Sequence, residues 1–143
     1  MPNPANSSTA PALNVATLLP NPSNYDTSLP GVVSDRITLL DWQRDATSAL
    51  LNWADALSYC DELRLGNHDD WRLPTRIELV SLVDFSRADP ALDVTAFPRT
   101  LAAPFWTASR AVDDPTLRWV VDFSVGLSDE ASADRLIGVR CVR

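Results

Sequence analysis

The sequence predicts an α+β domain in which two helices pack on a mainly antiparallel sheet. Three observations carry this: two helix starts written in capping residues near mid-chain, alternating apolar patterns on either side of them, and a length of 143 residues. That length suits one domain burying about two-thirds of its extended surface. The order strand, helix, helix, strands keeps the helices apart from a late run of strands, as α+β folds do. Residues 1–31 differ from the rest: the first thirty hold six of the eleven prolines, five asparagines and a single charge, Asp26. They read as an extended arm with one apolar patch, "VATLL" (15–19), and the domain proper runs from 32 to 143.

Taken in order, "ITLLDWQR" (37–44) reads as a strand with Ile37, Leu39 and Asp41 on one face and Leu40 and Trp42 on the other. In "NWADALSYCDELRLG" (52–66) Asn52 can cap a helix whose Trp53, Ala54, Leu57, Cys60 and Arg64 recur at helical spacing, with Gly66 as its left-handed stop. "NHDDWRLP" (67–74) is a loop. "TRIE" (75–78) is a capping box, the Thr75 hydroxyl serving the Glu78 amide and the Glu78 carboxylate reaching back. The helix that follows, "RIELVSLVDF", is expected to turn Ile77, Val80, Leu82 and Val83 inward. "SRADPALDVTAFPRTLAAP" (86–104) lacks periodicity and is a long connection. "FWTAS" (105–109) and "LRWVVDFSVG" (117–126) are strands, the second with Trp119, Val121 and Phe123 opposite Val120 and Asp122. "LSDEASADR" (127–135) reads as a polar loop. "IGVRCVR" closes the chain as a last strand, Val139 and Cys141 on one face, Arg140 and Val142 on the other.

Composition excludes several functions. The net charge is −7, with sixteen aspartates and three glutamates against twelve arginines and no lysine. A nucleic-acid binder needs a basic face, so no nucleic acid is expected as a partner. No apolar run approaches the ~20 residues of a spanning helix, and the first twenty residues lack the basic and apolar regions of a signal peptide. Cys60 and Cys141 are too few for a cysteine-only zinc site and too far apart for a redox CxxC pair; one disulfide or two buried thiols remain. A bridge closing that loop would stabilise by roughly 4–5 kcal/mol.

The conspicuous motif is "DWRLPT". Trp71 and Leu73 alternate and can plug a core, Arg72 points away, Pro74 sets the chain before the helix, Thr75 starts it, and Asp70 can bond loop amides or Arg72. With Glu78, each residue has a packing or capping task, so the motif reads as structural. His68, the only histidine, lies beside Asp69 and Asp70 and reads as a solvated loop residue. The acid pairs Asp69–Asp70, Asp113–Asp114 and Asp129–Glu130 are of a kind that holds calcium or cleaves glycosides, yet none follows the EF-hand spacing. No cofactor or metal site is expected; calcium stays open as a ligand.

Together, "DWQR", "WADALSYC", "LGNHDDWRLPTRIELVSLVDFSRADPALDVTAFP", "FWTAS", "WVVDFSVG" and "VRCVR" resemble the DUF1566 family, the C-terminal domain type of the Legionella collagen-like adhesin, over about residues 32–143. The family is similar to C-type lectin-like and formylglycine-generating-enzyme folds. The resemblance implies that fold here, with Cys60 bridged to Cys141 and hence an oxidising compartment: extracellular, cell-surface or periplasmic. Formylglycine-generating enzymes work with paired cysteines and copper. With both cysteines in the bridge, the resemblance implies a binding module and no enzyme. The chain departs in having no collagen-like repeat and in reading "ITLLDW" where relatives often carry a glycine-rich "TGLxW".

The expected function is therefore a non-catalytic ligand-binding or adhesion module, recognising a carbohydrate or a protein surface through loops between the C-terminal strands. Candidate contacts are Trp106 for stacking, Arg110, Arg118 and Arg135 as bidentate donors, Asp113, Asp114, Asp129, Glu130 and Asp134 as acceptors or calcium ligands, and Ser109 and Ser132 as hydroxyls. The alternative is an assembly subunit that forms a homo-oligomer through its N-terminal arm.

Overall fold

The structure, a computed structural model, describes residues 24–143; the "VATLL" patch lies outside the described residues. The fold is α+β, with two helices, two antiparallel three-stranded sheets and one disulfide. The first sheet orders β1 (Tyr25–Asp26), β2 (Val32–Asp35) and β3 (Leu40–Gln43). Helices α1 (Trp53–Glu62) and α2 (Arg76–Val80) follow, and then the second sheet, β4 (Pro104–Arg110), β5 (Leu117–Asp122) and β6 (Leu127–Ser132). Two small sheets thus stand where one was expected. β1 pairs with β2 through Tyr25 opposite Asp35, so residues assigned to the arm contribute a strand to the first sheet.

The expected strand at 37–44 is shorter than its apolar content suggested. The Asp35 carboxylate accepts from the amides of Ile37 and Thr38 and builds a turn in place of a strand. Leu39 sits at φ 64°, and pairing resumes only at Leu40. Helix α1 starts as expected: the Asn52 side chain accepts from the Asp55 amide at 2.8 Å. Trp53, Ala56 and Cys60 form its buried stripe, whereas Ala54 is exposed. The helix ends at Leu63 in extended geometry; Gly66, at φ +62°, serves the tight turn in which Leu65 and His68 exchange backbone bonds.

The "DWRLPT" segment is the hinge of the frame. Trp71 and Leu73 are buried, and the Trp71 indole donates to the Leu65 carbonyl. Thr75 and Glu78 make the full capping box, and Arg72 forks onto the Glu78 carboxylate at 2.7 and 2.8 Å. Asp70 pairs with Arg143, not with Arg72. Helix α2 has only five residues, so the phase expected over a longer helix fails. Leu79 faces the core and Ile77 is 83% exposed, while Leu82 and Val83 are buried from the irregular turns that follow.

Residues 127–132, read as a polar loop, form β6, in full register with β5 from Leu117 opposite Ser132 to Asp122 opposite Leu127. The closing segment is no ladder strand but a strap of isolated bridges. Ile137 meets Leu51, Gly138 lies parallel to Phe105, and Val142 meets both Trp42 and Arg72. A Cβ at Gly138 would stand 3.0 Å from the Phe105 ring, so a larger residue would make the ring or the strap give by a few tenths of an ångström. The expected alternation holds along the strap. Ile137, Val139 and Cys141 join the core that contains Trp53, Ala56, Trp71, Trp106 and Val120. Val142 joins a second core with Val33, Trp42, Leu79, Phe97, Phe105, Val121 and Phe123. The β4–β6 sheet separates the two cores.

Two ties fasten the strap. Cys60 on α1 is bonded to Cys141, with Cα atoms 5.5 Å apart. Arg140, on the opposite face, is buried and donates to the carbonyls of Gln43 and Arg44 and to the Thr100 hydroxyl, with its guanidinium 4.8 Å from the Phe97 ring. Burial pushes its pKa down to about 10, which leaves it charged at neutral pH.

Replacing both cysteines by alanine, or reducing the bond, should cost about 4–5 kcal/mol in urea unfolding, since the bridge closes a loop with a separation of 81 residues. The Glu78 carboxyl is held below its ordinary 4.5 by the Arg72 fork first and by the Thr75 amide and hydroxyl. A carboxyl depressed in the native state stabilises above its unfolded value, and that contribution is lost as pH falls through the lower native value. Glu78→Gln should therefore lower the urea midpoint at neutral pH, and its difference from the parent should shrink as pH drops below 4.5.

Candidate functional site

The loops expected to build a site do meet at one end of the second sheet. The β4–β5 turn and the segment after β6 are joined there by the Ala133 amide donating to the Thr116 carbonyl, and Ala133 in turn accepts from the Trp53 amide. The candidates within them play unlike parts. Asp114 is committed to its own turn, accepting from the Thr116 hydroxyl and amide, which hold its carboxyl below the usual range. Asp113 is exposed. Asp129 and Glu130 stand exposed on the edge strand β6, where the Asp129 carboxylate accepts from the Glu130 amide. Ser132 donates to Asp134, and Arg135 is exposed beside them. Among the described residues no three acidic, histidine or cysteine side chains gather as a metal would need.

Two candidates are structural. Trp106 is 0% exposed, and its indole N–H donates to the Leu51 carbonyl at 2.7 Å. It is a core residue and offers no face for stacking. Arg118 is buried, donates to the carbonyls of Pro115 and Leu117, and lies 4.2 Å from the ring of Trp53, with Arg110 at 5.5 Å from the same ring. Trp119, Val121 and Phe123 share one face of their strand, as the alternation predicts, and Val121 and Phe123 enter the second core. The tryptophan that reaches solvent is Trp119, since Trp42, Trp53, Trp71 and Trp106 are all buried.

Around Trp119 a groove of about 600 Å³ opens between the start of α2 and the sheet, lined by Arg76, Ile77, Val80, Ser109, Arg110, Trp119 and Ser128. The Arg76 amide donates to the Ser109 hydroxyl at 3.0 Å, which seats α2 on β4, and the Arg76 guanidinium stacks 3.8 Å above the Trp119 ring. Register shifts between Trp106 and Arg110 mark a bulge in β4 next to the groove, the kind of irregularity that re-aims side chains. Of the expected site residues, Ser109 and Arg110 fall here. Arg76, Ile77, Val80 and Ser128 were not expected. Arg76 looks like an ordinary first-turn residue, and nothing in the linear pattern brings it over Trp119.

Neither Arg76 nor Arg110 meets a carboxylate among the described residues. The ion pairs engage Arg36, Arg72, Arg87, Arg99 and Arg143 instead. Arg76 is the cation of this groove; the Arg110 guanidinium lies with that of Arg118 toward Trp53, on the other face of the sheet. Other depressions differ. The one along Leu57, Asp61, Trp71 and Ala108 has Arg72 as its cation, already spent on Glu78, and the one beside Pro98 and Gly138 is flanked by the paired Asp45 and Arg99.

The sequence model of the Lcl C-terminal domain matches residues 31–143. The chain belongs to that family. The family is adhesin-associated, and with the disulfide it fits an extracellular location for an adhesin-like module. No curated protein matches the chain. Among the described residues no helix is long and apolar enough to cross a membrane.

With Trp119 the indole that reaches solvent, Trp119→Phe should remove most acrylamide-quenchable fluorescence and leave the fold intact. Trp106→Phe should leave quenching unchanged while lowering the urea midpoint, because it removes a buried indole and its bond to Leu51.

Proposed function

We propose that the chain is a non-catalytic, extracytoplasmic ligand-binding or adhesion module of C-type lectin-like fold, contacting a carbohydrate or protein surface at the end of the second sheet. The observation that carries this reading is the groove over Trp119, where Arg76 stacks on the indole and meets no carboxylate among the described residues, set on a frame fastened by the disulfide. A rigid platform with an unsatisfied rim is suited to recognition, since little ordering cost remains at binding. The acids whose pKa values depart from the ordinary are displaced downward, as at Asp26, Asp70, Glu78 and Asp114. A general acid needs the opposite displacement. Calcium on the exposed acids of the loops remains a subject of the test.

A second reading, an assembly subunit joined through residues 1–31, draws on β1, which adds the end of that arm to the edge of the first sheet. A glycan array run with and without calcium, beside light scattering of the chain before and after removal of residues 1–23, separates the two. The module reading expects binding that survives the truncation. Silence across the array, with an oligomer that dissociates on truncation, would select assembly.

A further inference from the structure

We infer that Arg110 and Arg118, side by side over Trp53, form a site for a doubly charged oxyanion, phosphate or a phosphomonoester. The site lies on the face of the second sheet opposite the groove over Trp119, and it stands independently of the reading proposed for that groove. The two arginines are direct partners across the β4–β5 ladder. Their guanidiniums lie 5.5 and 4.2 Å from the Trp53 ring. Like charges directly opposite each other in a sheet repel, and the electron-rich ring offsets only part of that repulsion. Among the described residues neither arginine forms an ion pair, since Arg36, Arg72, Arg87, Arg99 and Arg143 take the carboxylates.

The bonding of Arg118 indicates where the anion sits. The side chain is buried, and its Nη1 donates to the carbonyls of Pro115 and Leu117 at 2.6 and 3.0 Å. Its Nε is buried as well and has no hydrogen-bond partner, while Nη2 donates to no group of the described residues. Nε and Nη2 together form the edge with which an arginine grips two oxygens at once. A buried N–H without an acceptor costs free energy, so this edge points to an acceptor from outside the chain. Arg110 forms the outer side of the site. It is exposed and held by its contact with the ring alone, so it can swing to admit the anion and then close its own fork on it.

The surrounding charges fit a dianion. Of the acids nearest in the chain, Asp114 is committed to the Thr116 hydroxyl and amide. Asp55, Asp113 and Asp134 are exposed and pair with neither arginine. Helix α1 starts at Trp53 itself, so its N-terminal end adds partial positive charge on the same side. A carboxylate balances only one of the two guanidiniums. A phosphate group balances both, and its several oxygens meet two forks together.

The test is isothermal titration of the whole chain with inorganic phosphate, glycerol phosphate and acetate at about pH 8, where the phosphates are doubly charged, in chloride of matched ionic strength. Urea unfolding in the same salts follows. Phosphate should bind one to one with a Kd of about 1 mM and raise the urea midpoint to a plateau, with acetate about tenfold weaker or more. Arg110→Gln, a change at an exposed side chain, should weaken phosphate about tenfold or more and abolish the plateau. In chloride its midpoint should match or exceed the parent's, because a like-charge contact is gone. The general stabilisation by excluded phosphate does not saturate and persists in the variant, which separates it from binding. Glycerol phosphate binding as well as phosphate supports a group carried on a larger molecule, and binding of inorganic phosphate alone supports the free ion. No saturable binding, acetate equal to phosphate, or affinity unchanged in Arg110→Gln overturns the inference.

Discussion

The closing strap, residues 137–143, is the element on which the other parts lean. A segment of this length exchanges backbone bonds with Leu51, with Asp41 and Gln43 in the first sheet, with Trp106 in the second, and with Arg72 before α2. It forms no ladder of its own, so its position depends on what holds it, and the bond from Cys141 to α1 does so covalently. One face of the strap completes one core and the other completes the second, so moving it by a single residue would exchange the two sets of side chains. The rigidity of the groove is inherited from this arrangement. Helix α2 is too short to be stable alone and is placed by the capping box at one end and by Leu79 in the second core.

A small domain of two three-stranded sheets gains from such a strap because neither sheet is wide enough to stand alone. The strap makes them one body without a long ladder between them. The functional side chains can then sit on short elements, since their placement does not depend on the elements' own stability. The tension in the molecule is electrostatic: an excess of aspartates is handled by local turns, as at Asp35 and Asp114, and by arginine forks, as at Asp70 and Glu78. Arg76 is held differently, its guanidinium stacked on the Trp119 ring.

What was legible in the sequence was what local chemistry writes. Asn52, the Thr75–Glu78 box and the alternation of the closing segment are decided within a few residues, and each is found in place. The errors lie where distant neighbours decide. Ile77 was expected inward because its phase was measured over ten residues, of which only five are helical. The polar residues of β6 concealed a strand because an edge strand is held by backbone bonds and needs few apolar side chains. Trp106 and Trp119 could be ordered along their strands, but both faces of that sheet are covered, so no periodicity could tell which ring reached solvent. The arginine above Trp119 comes from a different element and leaves no trace in the linear pattern. The disulfide came from the family resemblance; the spacing alone had left two thiols equally open.

Arg140 carries a consequence of its own. Its guanidinium knots the strap to two carbonyls after β3 and to a hydroxyl in the long connection, without a single sulfur atom. A thiol reagent that opens the covalent tie leaves this polar one untouched. A molecule exposed to changing redox surroundings thereby keeps a reductant-proof anchor a residue away from its reducible one.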